Sequence, residues 1–196
     1  MVAGVLVDAN VLFSRTLRDW LFLLRNQAGG DLFTVYATED IVAETVYRLR
    51  RRHPTAPGRV ISHVHDLITE QLDLRVSDFT IDTTHPSPDP DDAHVHAAAV
   101  ASEASILLTA DTGFTRLPHH TLDSLPYEVR TPDAFFVLID DTDPASVRQV
   151  TVQQLDCWFQ RDDEADLAGS LRKAGCPLFA RRVAGHVHRL RWTPPV

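Results

Sequence analysis

Lysine is almost missing from this chain. Of the 19 lysines and arginines, only Lys173 is a lysine, and it lies in the C-terminal tail. A phosphoryl-accepting receiver site gathers acids at strand ends but needs a lysine near its last strand, so that reading loses its key residue. Cysteine is scarce as well. Cys157 and Cys176 have neither metal-ligand spacing nor neighbouring partners, and they read as buried thiols in a reducing cytosol. Long hydrophobic runs are also absent. No stretch approaches the roughly 18 apolar residues that a membrane-spanning helix requires. Met1 to Asp8 reads as a short strand ending in a carboxylate, not as a charged leader before an apolar segment. Internal repeats and low-complexity tracts are lacking. The expectation is a soluble, cytoplasmic protein with no membrane contact.

What is present suffices for a core: 196 residues, 44% of them hydrophobic. The charge is unevenly spread. Net charge is −8, yet Leu167 to Val196 carries six Lys or Arg and no Asp or Glu. The remainder holds 13 basic and 27 acidic residues, so a tail of +6 follows a body of −14. Local positive charge matters more than the total when the partner is a phosphate backbone.

Ala3–Asp8 has the composition of a buried strand, and Asn10–Arg25 follows with Leu12, Phe13, Leu17, Leu21 and Leu24 at helical spacing. Leu32–Ala37 predicts a second strand, and Thr38 an N-cap with Glu39 and Asp40 in the first turn. Pro57–Leu72 predicts a helix, Asp73–Ser77 a third strand. A polar, proline-rich stretch, Asp82–Asp91, then runs into the alanine-rich helix Ala93–Ser102. Ile106–Thr109 predicts the fourth strand, a loop with Gly113 and Pro118 follows, and Tyr127–Arg130 predicts the fifth. Thr131-Pro132 opens a helix through Leu138. Such alternation argues for an α/β class with a parallel sheet and helices on both faces. Beyond Asp143-Pro144 only helices are expected: Ala145–Gln160, Asp162–Ala174 and Leu178–Arg191.

Four acids sit where an acid does least for stability. Asp8 ends the first strand, Asp111 follows the fourth, Asp92 opens the alanine-rich helix, and Glu44 lies one turn inside the helix after Thr38. Singly, Asp8, Asp92 and Asp111 are also ordinary helix-cap or first-turn acids, and Glu44 an ordinary solvated residue. Together they would meet at the carboxyl edge of a parallel sheet, where ligands bind. Carboxylate pairs about 5 Å apart repel by roughly 3 kcal/mol at an effective dielectric near 20. A hard divalent cation, Mg²⁺ or Mn²⁺, makes such a cluster tolerable. The combination points to metal-dependent chemistry on phosphates.

The segments Val5-Leu6-Val7-Asp8-Ala9-Asn10-Val11-Leu12, Glu39-Asp40-Ile41-Val42-Ala43-Glu44, Asp89-Pro90-Asp91-Asp92-Ala93-His94-Val95-His96-Ala97-Ala98-Ala99 and Leu107-Leu108-Thr109-Ala110-Asp111 resemble PIN-domain ribonucleases, especially VapC-type toxins of toxin–antitoxin pairs. Thr131-Pro132-Asp133-Ala134-Phe135-Phe136 sits where that family begins its last helix. The resemblance covers residues 3 to 140. It implies a three-layer α/β/α nuclease domain over 1–140, with a central parallel sheet of about five strands, and a helical extension over 141–196. It further implies that Asp8, Glu44, Asp92 and Asp111 hold Mg²⁺ or Mn²⁺, supported by Asn10, Ser14 and Thr109. The implied activity is endoribonucleolytic hydrolysis leaving 3′-hydroxyl and 5′-phosphate ends, and the implied partners are RNA, a cognate antitoxin and a second copy in a homodimer. Non-toxin RNA maturation and a non-catalytic PIN scaffold are the alternatives. Many members carry an acid or Asn two residues after the fourth acid, where this chain has Gly113, which puts a second metal position in doubt. Asp91, adjacent to Asp92, is an alternative ligand, although Val95 and Ala99 follow Asp92 at the spacing that packs the helix.

The remaining polar groups have two readings each. His94 and His96 are two apart on a helix and face different ways, which disfavours a zinc pair. His186 and His188 are expected on a solvated face. Arg48, Arg50, Arg51 and Arg52 either finish a helix or, in part, steer phosphate towards the metal. Arg181 and Arg182, with Trp192 nearby, either hold an RNA backbone or pack against the acidic body.

Overall fold

The computed structural model describes residues 2–81, 85–87, 89–159 and 166–190. The five predicted strands form one sheet in the order β3-β2-β1-β4-β5, every pair parallel. They are β1 (Ala3–Val7), β2 (Phe33–Thr38), β3 (Leu74–Val76), β4 (Ile106–Leu108) and β5 (Glu128–Arg130). The α/β class, the parallel sheet with flanking helices and the helical C-terminal part are as expected. No helix among the described residues is long and apolar enough to cross a membrane.

Two compact units emerge. The first comprises Met1–Arg15 and Asp31–Thr131. Its centre is β1, where Val5, Leu6 and Val7 are fully buried, flanked by Val35 and Ala37 of β2 and Leu107 and Leu108 of β4. Each of these valines and leucines contributes about 1.5–3 kcal/mol by leaving water. Gly4 is required here, because a Cβ would fall 2.6 Å from the Tyr36 ring. Its helices are α1 (Ala9–Phe13), α3 (Glu39–Arg52), α4 (Gly58–Gln71), α5 (Ala93–Ala101), α6 (Thr112–Thr115) and α7 (His119–Leu122), with a 3₁₀ turn at Pro90–Asp92. Helix α3 starts where the sequence predicts: Thr38 Oγ1 accepts from the Ile41 amide at 3.1 Å. Ile41, Val42 and Thr45 form its buried face, and the Thr45 hydroxyl donates to the Ile41 carbonyl at 2.9 Å.

The second unit comprises Thr16–Gly30 and Pro132–Val196. It contains α2 (Arg15–Gln27) from Thr16 onward, α8 (Pro132–Thr142), α9 (Pro144–Phe159), α10 (Leu167–Lys173) and α11 (Pro177–Arg189). The expected domain boundary at residue 140 falls within α8. An aromatic cluster forms the core: Trp20 meets Phe179 edge-on at 5.0 Å, and Phe179 lies 5.1 Å from Phe136. Asp133 caps α11, accepting from the Phe179 amide at 2.8 Å and the Leu178 amide at 3.1 Å.

Several expectations need correction. Asn10–Arg25 is not one helix: Ser14 adopts an extended conformation (ψ 111°) and separates α1 from α2. The loop around Gly113 and Pro118 holds the short helices α6 and α7. Cys176 is buried, which pushes its thiol up to about 12, but Cys157 is exposed. His186 is not on a solvated face. It is 3% exposed because the Asp140 carboxylate of α8 meets its Nε2 at 2.6 Å, which satisfies a ring the core would otherwise reject. His188 is exposed, as expected. Of the proline-rich stretch, 82–84 and 88 lie outside the described residues, as do Gln160, the start of the expected 162–174 helix, Arg191 and Trp192.

Candidate functional site

Strand order reverses between β1 and β4, the two neighbours from which the chain leaves in opposite directions. This is the crevice where open parallel sheets bind ligands. Asp8 is the residue after β1 in that crevice, and Thr109 to Asp111 follow β4. Asp8 occupies the N-cap position of α1, yet its side chain caps nothing there. Its Oδ2 instead accepts from Thr109 Oγ1 at 2.6 Å and from Asn10 Nδ2 at 2.5 Å. The Thr109 hydroxyl is fully used: it donates to Asp8 and accepts from Asn10 Nδ2 at 3.1 Å and from the Asp111 amide at 2.9 Å. Asn10 Oδ1 closes the network by accepting from the Ala110 amide at 2.9 Å. Thr109 and Asn10 thus fix the Asp8 carboxylate against the end of β4.

Asp92 comes from the other side, at the junction of the 3₁₀ turn and α5. It caps nothing with its side chain. Its Oδ2 accepts from the buried Ser87 hydroxyl at 2.5 Å. Asp111 Oδ1 accepts from the Gly113 amide at 2.6 Å, so this acid does cap α6. Glu44, on α3, is paired with Arg48 at 2.5 Å. Asp8, Glu44, Asp92 and Asp111 all line one open cavity of about 610 Å³, with Asn10 at its wall and Arg48 and Arg51 on its α3 side. Asp91 lines it too, but is exposed, whereas Asp92 is anchored by Ser87.

At Asp8 and Asp92 burial disfavours the charged form, and neighbouring acids add to it. Burial raises the carboxyl of Asp8 above its usual range, the Thr109 hydroxyl and the Ala9 amide pull it back, and the charges of Glu44 and Arg48 push it in opposite directions. Burial raises Asp92, the Ser87 hydrogen bond lowers it, and the charges of Asp111, Asp8 and Asp89 raise it further. Burial and the Asp92 charge also hold the Tyr127 hydroxyl far above its normal value, while that hydroxyl bonds His96 Nδ1 at 2.7 Å.

The polar groups at this cavity are mostly hard oxygens, the set that Mg²⁺ and Mn²⁺ take. His94 Nδ1 bonds the Asp91 carbonyl, which leaves its buried Nε2 without a hydrogen-bond partner, and His96 Nδ1 bonds the Tyr127 hydroxyl. Among the described residues no three His, Cys, Asp or Glu side chains are grouped to hold an ion by themselves. Mg²⁺ ordinarily keeps several waters and takes one or two carboxylates plus substrate phosphates, and the donor chemistry of this open pocket fits that mode.

The remaining predicted residues are placed elsewhere. Ser14 does not line the cavity. Arg52 is exposed beyond its lining, and Arg50 is spent on the Ala56 carbonyl at 2.6 Å. In the second unit Arg182 pairs with Asp141 at 2.6 Å and Asp140 at 3.2 Å, and Arg181 is exposed beside them. Sequence reasoning missed Ser87, which sits in a stretch without periodicity. It also missed why position 113 is glycine: a Cβ there would lie 2.6 Å from Asp92 Oδ2 and 2.7 Å from Ser87 Oγ.

The PIN domain's family profile matches residues 4–113, more than half of the chain. The chain belongs to the PIN-domain family. No curated protein and no solved structure gives a match. PIN domains are generally nucleases and typically use divalent metals. The matched segment contains all four acids as well as Asn10, Ser87, Thr109 and Gly113.

Proposed function

We propose that this PIN protein is an Mg²⁺- or Mn²⁺-dependent endoribonuclease whose metal is held by Asp8, Asp92 and Asp111, with Glu44 at the pocket wall. The observation that carries this reading is that four carboxylates line one cavity, two of which, Asp8 and Asp92, are raised by burial and by neighbouring acids, and that among the described residues only Glu44 of the four is in a salt bridge. An idle scaffold gains stability by losing such acids. When bound, the metal lowers the pKa of a coordinated water and offsets charge on the phosphoryl oxygens. The chain's own residues orient the parts: Thr109 and Asn10 fix Asp8, Ser87 fixes Asp92, and the Gly113 amide fixes Asp111. Arg48 and Arg51, on the cavity's α3 side, draw the RNA backbone in.

By its resemblance to VapC-type toxins, the protein acts in the cytoplasm, is held inactive by a cognate antitoxin and works as a homodimer. The test is cleavage of single-stranded RNA in Mn²⁺. Wild type should give 5′-phosphate ends, EDTA should stop the reaction, and Asp8→Asn should lower the rate by about a thousandfold, about 4 kcal/mol of barrier. Full activity in chelator or in Asp8→Asn removes the mechanism. Expression of the wild type should arrest growth and Asp8→Asn should not. Unimpaired growth with an active enzyme would favour RNA maturation over the toxin role.

A further inference from the structure

Helix α3 carries two stripes. Ile41, Val42 and Thr45 are buried, whereas Glu44, Tyr47, Arg48 and Arg51, spaced three and four apart, all line the acidic cavity. Tyr47 is the outlier in that polar row. It is 61% exposed, so its ring adds little to the core, and the guanidinium of Arg51 lies over it, 5.8 Å from the ring centroid. Ile81, 55% exposed, lines the same cavity. A lone exposed aromatic on a surface means nothing. An exposed aromatic, an exposed isoleucine and a stacked arginine in the cavity that holds the acid cluster are a different matter.

We propose that Tyr47, with Arg51 and Ile81, is a stacking platform for one unpaired nucleobase of the RNA strand. The inference rests on the nuclease reading above and extends it to the substrate class. Three physical points carry it. Every base has a π face, so an aromatic ring binds bases whatever their sequence, and an arginine plane does the same. The cations that would hold the flanking phosphates are close to the ring: Arg51 is one turn on and Arg48 is the next residue, and both line the same cavity. In an A-form duplex the bases are stacked on one another and cannot reach a side-chain platform, so the substrate is single-stranded at this point. A protein segment covering the same patch is the competing occupant. Although the cavity as a whole is acidic, Arg51 lies over the ring and Arg48 follows it on the helix, and these two cations favour a phosphate-bearing nucleotide.

The test uses the full chain carrying Asp8→Asn, which binds without cutting, in Mg²⁺. Fluorescence anisotropy measures a single-stranded RNA of about eight nucleotides, and the same strand with abasic sites. Intact RNA should bind more tightly than abasic RNA. Adding Tyr47→Ala should weaken the intact strand by roughly 5- to 100-fold and leave the abasic strand nearly unchanged. Tyr47→Trp should restore affinity. Arg51→Ala should lower the salt slope by about one, and Tyr47→Ala should not change it. The proposal is overturned if Tyr47→Ala binds intact RNA like its parent, or weakens both strands equally. It is equally overturned if the substitution abolishes capture of a partner protein while RNA binding is untouched. If the wild type cuts no RNA but base-dependent binding through Tyr47 is seen, the platform stands and the nuclease reading alone fails.

Discussion

The two units of this protein treat buried acid in opposite ways. In the second unit Asp140, 5% exposed, meets His186 at 2.6 Å and Arg182 at 3.2 Å, and Asp141 takes the same arginine at 2.6 Å. Arg189 donates to His186 Nδ1 at 3.1 Å, and because a guanidinium cannot accept, the ring's proton sits on Nε2 and points at Asp140. Both acids there have a cationic partner in Arg182. In the first unit the acids are anchored by neutral donors, the hydroxyls of Thr109 and Ser87 and the Asn10 amide, and their nearest charged company is largely one another. A matched cluster holds a fold together. An unmatched one costs the fold stability and is the one to read as a site.

Asp140→Ala should break the matched region hardest. It strands a buried imidazole N–H, at a cost of about 2–4 kcal/mol in a denaturant melt. A cost below about 0.5 kcal/mol would show that the pair is incidental. Gly113→Ala probes the unmatched region. Its Cβ must displace the Asp92 carboxylate or the Ser87 hydroxyl, both of which are side-chain ends and can move cheaply. RNA cleavage should therefore fall about tenfold, roughly 1.4 kcal/mol of barrier, while the melting temperature stays near wild type. An unchanged rate would free the geometry of Asp92 from any catalytic demand. Asp143→Ala is the smallest. Asp143 caps α9 through the Ala145 and Ser146 amides, both at 3.1 Å, and the Ser146 hydroxyl and amide hold its carboxyl below the usual range. Loss should cost about 1 kcal/mol at neutral pH. Because the folded carboxyl is depressed, that contribution exists above the unfolded value and is lost as pH falls through the folded one. The wild type and variant melts should converge in acid.

Much of this was legible in the sequence, for identifiable reasons. The strands were legible because β1 and β4 are short, largely buried apolar runs, the first followed directly by Asp8 and the second three residues before Asp111, and α3 because Thr38, Glu39 and Asp40 spell a helix start. Asn10 and Thr109 could be named beside Asp8 because they are near the first and fourth acids in sequence. Ser87 could not, since its role depends on a non-periodic segment folding back onto Asp92. The break at Ser14 was hidden because Phe13, Leu17, Leu21 and Leu24 keep helical spacing across it. The burial of His186 depends on Asp140, 46 residues away in the chain, and no local pattern reports such a pairing.

Whether the acids of the first unit are a liability that a divalent ion removes decides between a metal site and a set of structural caps. Since burial and like charges raise the folded carboxyls of Asp8 and Asp92, their stabilising protonated forms persist below the unfolded value and are lost as pH rises through the folded one. The decisive measurement is the thermal melt of wild type and Asp92→Asn at about pH 7.5, in EDTA and in Mn²⁺. In EDTA the variant should melt at or above the wild type, and Mn²⁺ should raise the wild type substantially more than the variant. A variant that melts well below the wild type in EDTA, with Mn²⁺ shifting neither protein, would contradict the account and make Asp92 a structural residue.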